Sequence, residues 1–273
     1  MNSSIFNVEC ISSKSNPLVS KISKLLTKKG RYEYNLFTLD GIKLFEEAVK
    51  YSVNIKYIIV KENAVFSEEI IEMVKMCKRN NVQILCLSDS AFSKLTEENS
   101  PQGIITVCEF LKNIVFLDDT NEFKNGEKMI ILESLRDPGN MGTILRNATA
   151  FNFDSVILSS DCVDVYSPKV IRASMGAIFK TRIIISCDLV KIVEKIKSKG
   201  RRVIPLTLDN DSLVLGKDKI CKEDVFVVGN EGHGISKPII EATNNTMIIP
   251  MQKNTESLNA AVAATIIMWE LFK

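Results

Sequence analysis

Several absences narrow what this 273-residue chain can do. It has one histidine, His233, and seven cysteines scattered without a CxxC pair. A zinc centre or a Cys–His nucleophile pair needs more than that. Neither GxGxxG nor GxxxxGK[ST] occurs, which argues against the common dinucleotide and Walker sites. A nucleotide-dependent oxidoreductase loses its main signal with them. The first residues lack an apolar signal core, and no run reaches the length of a membrane span. Cysteines lying mostly in apolar runs read as reduced, buried thiols, so a soluble cytoplasmic protein without a resident metal is expected. The formal charge is only +2, too small for a global field that selects a partner.

What is present is an ordinary globular composition, 45% apolar and 25% charged, long enough for two modest cores. Leu18, Ile22, Leu25 and Leu26 give helical spacing over Asn16 to Lys29, and Leu44, Phe45, Ala48 and Val49 over Ile42 to Tyr51. Short apolar runs at Ile55–Val60, Val82–Leu87 and Ile104–Cys108 read as strands, with a helix at Ser67–Arg79. Residues 1–111 are therefore expected as a small α/β domain. The polar stretch 112–128 holds Asp118-Asp119 and Asn125-Gly126 and is expected as a linker. Residues 129–273 alternate near-continuous apolar strands with helices, the pattern of a parallel sheet covered on both faces. The expected strands are Met129–Leu132, Val156–Leu158, Ile183–Ile185, Val203–Leu206, Val225–Val228 and Met247–Ile249. The last helix, from about Glu256 to Phe272, is apolar nearly all round and must be buried in a core or a subunit interface.

Three segments of this second half each follow an apolar run and lead into a helix-like pattern. Asn140-Met141-Gly142-Thr143-Ile144-Leu145-Arg146 follows the turn Asp137-Pro138-Gly139, and its helix N-terminus offers N–H groups to a polar ligand. Arg146, about one turn past Gly142, fits either a phosphate contact or a surface arginine. Val228-Gly229-Asn230-Glu231-Gly232-His233-Gly234-Ile235-Ser236 has glycines that permit close approach to a flat ligand. Glu231 fits a ribose hydroxyl or a cationic ligand there. His233 reads as a loop residue rather than a catalyst. Ile249-Pro250-Met251-Gln252-Lys253-Asn254-Thr255-Glu256-Ser257-Leu258-Asn259 ends in Ser257, a candidate N-cap, and in Asn259, an amide expected inside an apolar helix and in need of a partner. Turns at the carboxyl ends of strands can meet in one crevice. Farther forward, Lys14, Lys21, Lys24, Lys28, Lys29 and Arg31 form a basic run without an acid, which fits a solvated helix face or a nucleic-acid footprint.

In this order and spacing the three segments resemble the motifs of the SpoU/TrmH family of RNA ribose 2′-O-methyltransferases, over about Lys128 to Lys273. Phe37-Thr38-Leu39-Asp40-Gly41, Ile42-Lys43-Leu44-Phe45-Glu46-Glu47-Ala48 and Pro101-Gln102-Gly103-Ile104 resemble the small RNA-binding domain that often precedes the catalytic one. That domain is similar to certain ribosomal proteins. The resemblance implies an S-adenosylmethionine (AdoMet) donor, a trefoil knot in the C-terminal domain, and a homodimer whose sites draw on both subunits. It implies RNA as substrate, ribosomal before transfer RNA. Asn140, Arg146, Glu231, Ser257 and Asn259 match the motifs' polar positions. Val228, Gly229, Gly232, Ile249, Met251 and Leu258 match the AdoMet-binding loops. The chain departs from the family pattern at Lys253, where glycine is usual, at Asp40, where glutamate is common, and at Ala260-Ala261, where larger residues are common. The alternatives are a non-catalytic RNA-binding protein of the same fold with donor binding impaired by Lys253, and a transfer-RNA 2′-O-methyltransferase.

Overall fold

The structure, a computed structural model, describes residues 2–117, 123–124, 126–209, 211–252 and 257–273. The chain divides into two compact units, Met1–Leu111 with Asp164–Phe179, and Lys112–Val163 with Lys180–Lys273. The strands are β1 (Cys10–Ile11), β2 (Leu36–Asp40), β3 (Ile55–Lys61), β4 (Gln83–Leu87), β5 (Ile104–Glu109), β6 (Ile114–Leu117) and β7 (Met129–Leu132). They continue as β8 (Ser155–Ser159), β9 (Arg182–Ser186), β10 (Val203–Pro205), β11 (Leu213–Val214), β12 (Val225–Val228) and β13 (Met247–Ile248). The helices are α1 (Asn2–Phe6), α2 (Pro17–Ser23), α3 (Lys28–Tyr34), α4 (Ile42–Lys50), α5 (Glu68–Arg79) and α6 (Asp89–Phe92). After them come α7 (Pro138–Ala150), α8 (Pro168–Ser174), α9 (Leu189–Ser198), α10 (Lys237–Glu241) and α11 (Ala260–Phe272).

The first unit is a mixed sheet in the order β1-β4-β3-β5-β2, with β5 antiparallel to both neighbours. Side chains on a strand alternate between faces, and β4 shows the consequence. Leu85 and Leu87 join Val19, Ile22 and Leu25 in one cluster, while Ile84 and Cys86 join Phe45, Val74 and Cys77 in another. Gly41, at φ 105°, turns β2 into α4. Its N–H donates to the Ile104 carbonyl at 3.0 Å, and the Gln102 Oε1 accepts from the Ile42 N–H at 2.8 Å. The family-like segments of this unit thus meet as a fastening between the start of α4 and the start of β5.

Two expectations about this unit need correction. The helix expected over Asn16 to Lys29 is interrupted. A 3-10 turn at Lys24–Leu26 follows α2, and Thr27, extended at φ −97°, caps α3 by accepting from the Gly30 N–H at 3.1 Å. Asp164–Phe179, expected within the 129–273 domain, packs instead with the N-terminal unit. The cause is side-chain burial. Tyr166, 1% exposed, stacks on Phe110 at 4.0 Å and lies 4.9 Å from Phe37. Its hydroxyl accepts from the Leu111 N–H at 2.8 Å, and Asp164 pairs with buried Arg31 at 2.6 Å.

The second unit holds a wholly parallel sheet in the order β10-β12-β7-β8-β9-β6, with β11 and β13 paired separately. Strand β6 lies inside the stretch expected as a linker. Its four apolar residues pair with β9, a signal outweighed in sequence by the polar residues after it. One face of the sheet buries Ile131, Ile157, Ile184 and Val227 against Leu189, Ile192, Val193 and Ile196 of α9 and Ile239 of α10. Helices α7 and α11 pack along each other, and the Asn147 Nδ2 donates to the Thr265 Oγ1 at 2.7 Å. Strand β7 has β8 on one side and β12 on the other. The chain's direction of travel across the sheet reverses there, and the turns after β7 and β12 are tied together, the Asn230 Nδ2 donating to the Ser134 carbonyl at 2.8 Å. Among the described residues, no helix is long and apolar enough to cross a membrane.

Candidate functional site

Helix α7 begins earlier than its sequence pattern suggests. Asp137 is its N-cap and Pro138 occupies the first turn, where its missing N–H costs nothing. The Asp137 Oδ1 accepts from the Asn140 N–H at 2.7 Å, so this backbone donor, expected to be free for a ligand, is already satisfied. What α7 offers the crevice is the Asn140 side chain. Its Nδ2 donates to the Glu231 Oε1 at 2.5 Å, and its Oδ1 accepts from the Asn259 Nδ2 at 2.9 Å.

Asn259 explains its own orientation. It is the N-cap of α11, with Oδ1 accepting from the Ala261 and Val262 N–H groups at 2.9 and 3.2 Å. Committing the oxygen to the helix aims the amide nitrogen at Asn140. This corrects two expectations. Ser257 is not the cap, because α11 starts at Ala260, and Asn259 is an exposed cap rather than an amide buried in the helix. Glu231, Asn140 and Asn259 form one hydrogen-bonded row that joins all three segments.

The glycine loop is closed on itself. The Asn230 and Gly234 backbones exchange hydrogen bonds at 3.1 and 2.9 Å, with Gly234 at φ 68°. A Cβ on Gly229 would run into the Gly234 carbonyl, so only glycine fits. The Asn230 Oδ1 accepts from the Gly232 and His233 N–H groups at 2.8 and 3.2 Å, and its Nδ2 donates to the Ser134 carbonyl at 2.8 Å. His233 is exposed on this loop.

Behind the loop lies a cavity of about 400 Å³. Val228, Gly229, Gly232, Ile249, Met251, Ser257 and Leu258 all line it. So do Leu206, Thr207, Leu208 and Asp209, which the sequence reading missed. They follow β10, and the strand-end logic that singled out the other turns applies equally to them. Val228, Ile235 and Ala260 are buried apolar walls, while Thr207, Asp209, Asn230 and Glu231 supply polar atoms. That mixture suits a ligand with a flat ring and a polar tail. At Ser134, whose carbonyl holds Asn230, Asp161 accepts from the hydroxyls of Ser134 at 2.7 Å and Ser159 at 2.5 Å and pairs with Arg136 at 2.8 Å. Partial burial pushes this carboxyl up, but the two hydroxyls and the guanidinium win and hold it below the ordinary carboxylate range.

Arg146 stands apart from the row. Six residues past Asn140 it is turned by about 240° around α7, at about 100° per residue. It is exposed and makes no side-chain hydrogen bond or ion pair among the described residues. Lys253 lies outside the described residues. In the first unit Lys14, Lys21, Lys24, Lys28 and Lys29 are exposed, but Arg31 is not available to a phosphate. Its Nε and one Nη donate to the Asp164 Oδ2 at 2.9 and 2.6 Å, and the other Nη to the Leu25 and Leu26 carbonyls at 2.8 and 2.9 Å. Four of its five N–H donors are thereby used inside the unit. Among the described residues, no group of His, Cys, Asp and Glu could hold a metal ion.

Comparison with known proteins gives two family matches. Residues 127–269 match the SpoU rRNA Methylase family, and residues 16–106 match the MRM3-like substrate binding domain. The chain is 31% identical to the 23S rRNA (guanosine(2553)-2′-O)-methyltransferase RlmP of Bacillus subtilis, over 96% of this chain and 98% of that one. It is similar to the crystal structure of an AdoMet-bound rRNA methyltransferase from Sinorhizobium meliloti, with a TM-score of 0.82 and 25% identity, covering 96% and 97% of the two chains. A crystal structure of an RNA 2′-O ribose methyltransferase is similar with a TM-score of 0.78 and 25% identity, over 96% and 98%.

Proposed function

Since this chain belongs to the SpoU rRNA Methylase family, we propose that it transfers a methyl group from AdoMet to a ribose 2′-hydroxyl of ribosomal RNA. The observation that carries this reading is the row Glu231–Asn140–Asn259 at the edge of a cavity walled by the matching loops. AdoMet, when bound, supplies a methyl group on a sulfonium centre. Val228, Gly229, Gly232, Ile249, Met251 and Leu258, which line the cavity, would hold it. The likeness to RlmP across nearly its whole length favours ribosomal over transfer RNA.

On the acceptor side, bond formation at the 2′-oxygen needs alignment, and orientation alone contributes about 7–11 kcal/mol in well-aligned cases. Glu231 and Asn259 fix the Asn140 amide, and the row positions the ribose. Arg146 binds the adjacent phosphate and orients the hydroxyl. As a guanidinium that stays protonated, it does not receive the hydroxyl proton. Ser257, exposed on the cavity wall, is a further ribose contact.

The active assembly is a homodimer through the C-terminal unit. Val262 and Trp269 are each 48% exposed and Phe272 is 43% exposed on α11, with Phe151 beside them at 5.8 Å from Trp269 and 5.7 Å from Phe272. A strip of large exposed apolar side chains fits a subunit contact. Pairing there would also bring a second Arg146 toward the row that Arg146 does not join among the described residues of its own chain. Seven free thiols suit work in the reducing cytoplasm.

Two measurements test the reading. Calorimetry should show AdoMet binding, and mapping of 2′-O-methyl groups in rRNA from cells with and without the protein should show one site lost. No AdoMet binding in the presence or absence of RNA would overturn it.

A further inference from the structure

The basic run of the first unit is organised around an aromatic ring that the sequence reading passed over. Tyr32 and Tyr34 lie two residues apart on α3, about 200° around the helix, and so face opposite ways. Tyr32 turns inward. It meets Phe110 edge-on at 5.2 Å, and its hydroxyl faces Asp164 at 3.4 Å. Tyr34 turns outward, half-buried, with part of its ring packed against the cluster of Val19, Leu36 and Leu85. The Lys21 Nζ sits over that ring at 4.9 Å from its centre and the Lys24 Nζ at 5.7 Å, and Lys24 also donates to the Tyr34 hydroxyl at 3.2 Å.

The surrounding lysines are not held in contact ion pairs. Lys43, Lys56, Lys61 and Lys75 of the same unit each have a carboxylate partner. None of Lys14, Lys21, Lys24, Lys28 and Lys29 has a carboxylate at ion-pair distance among the described residues, Glu33 acting on Lys24 only from farther away. The only acid between Lys14 and Tyr34 is Glu33. An aromatic ring anchored by the core, with exposed cations beside it, combines the two elements of single-strand recognition: a face for a base and charge for the backbone. Duplex RNA keeps its bases stacked and offers no such face.

We propose that Tyr34, framed by Lys21 and Lys24, is a stacking platform for an unpaired nucleobase of the RNA substrate. The proposal rests on the RNA-methyltransferase reading above. On binding, the base takes the ring face that the Lys21 ammonium now covers, and the lysines swing to the flanking phosphates.

The test uses the full chain, a labelled single-stranded RNA oligonucleotide of mixed sequence and fluorescence anisotropy at several salt concentrations. Tyr34→Leu, which keeps apolar packing but removes the ring, should weaken binding about tenfold with an unchanged salt dependence. Tyr34→Trp should bind at least as tightly as the wild type. Lys21→Gln and Lys24→Gln should each lower the slope of log affinity against log salt by about 0.7. Wild-type affinity in Tyr34→Leu overturns the proposal. An equal loss on a duplex of the same sequence, or no binding of single-stranded RNA by the wild type, overturns it as well. AdoMet calorimetry on the same samples separates failure of the platform from failure of the methyltransferase reading, since Tyr34 lies outside the donor cavity.

Discussion

Asn140, Glu231 and Asn259 are separated by up to 119 residues and share one row of hydrogen bonds. Each member is held by something independent of the others. Asn140 sits in a helix start capped by Asp137, Asn259 is itself a cap, and Glu231 rides on a loop closed by Asn230. Such a row keeps its geometry before any ligand arrives, which is what positioning requires. Arg146 has no such support among the described residues, and the role proposed for it is on the acceptor side alone. Arg146→Ala should leave AdoMet affinity unchanged while lowering turnover on the true RNA by about 10²–10³, the range for losing one aimed donor. Arg146→Lys should recover little of it, because a single ammonium cannot reproduce a two-pronged contact. Steady-state transfer kinetics alongside calorimetry check this, and turnover equal to wild type would remove Arg146 from the site. The residue types at these positions were legible in sequence. The partner each one takes was not, since a side-chain hydrogen bond across 91 or 119 residues leaves no local pattern.

Elements were legible where periodicity is strong and were lost where a cap or an edge decides. Strands β7, β8, β9 and β12 fall on the apolar runs that predict them. The start of α11 does not follow its apolar run, because Asn259 takes the capping role and leaves Ser257 outside. The short strand β6 hides beside polar residues. The largest surprise is Asp164–Phe179, which belongs by sequence position to one half and packs with the other. Its hold on the first unit centres on Arg31 and Asp164, whose side chains are 4% and 5% exposed. Burial, reinforced by the Asp164 carboxylate, pushes the neighbouring Tyr32 hydroxyl up to about 12. Leaving one buried charge without its partner costs about 3–5 kcal/mol. Asp164→Ala should therefore destabilise the first unit by that amount, read by hydrogen exchange as faster opening of β2 and β5. Exchange in β7 and β12, which belong to the other unit, should be unchanged. Unaltered protection in β2 and β5 would show that the pair does not anchor the segment.

At the scale of the whole molecule, the composition of α11 states that the helix must be covered, and the structure covers only part of it. Ala264, Ile267, Met268 and Leu271 are buried, while Val262, Trp269 and Phe272 stay exposed. Trp269→Glu places a charge in the proposed contact and should convert a dimer into monomers in sedimentation, with the far-ultraviolet dichroism of the fold retained. A wild-type chain that sediments as a monomer would exclude the dimer. The chain's residues by themselves determined the class of fold, the three polar segments and the chemistry they resemble, because apolar period, glycine placement and turn residues act locally. Only the tertiary structure decided which atoms meet. It turned Arg31 inward to Asp164, spent the Asn140 N–H on Asp137, and set Arg146 apart from the row. Those outcomes depend on which buried donors and acceptors must satisfy one another, and a burial pattern that spans the chain exists only once the chain has packed.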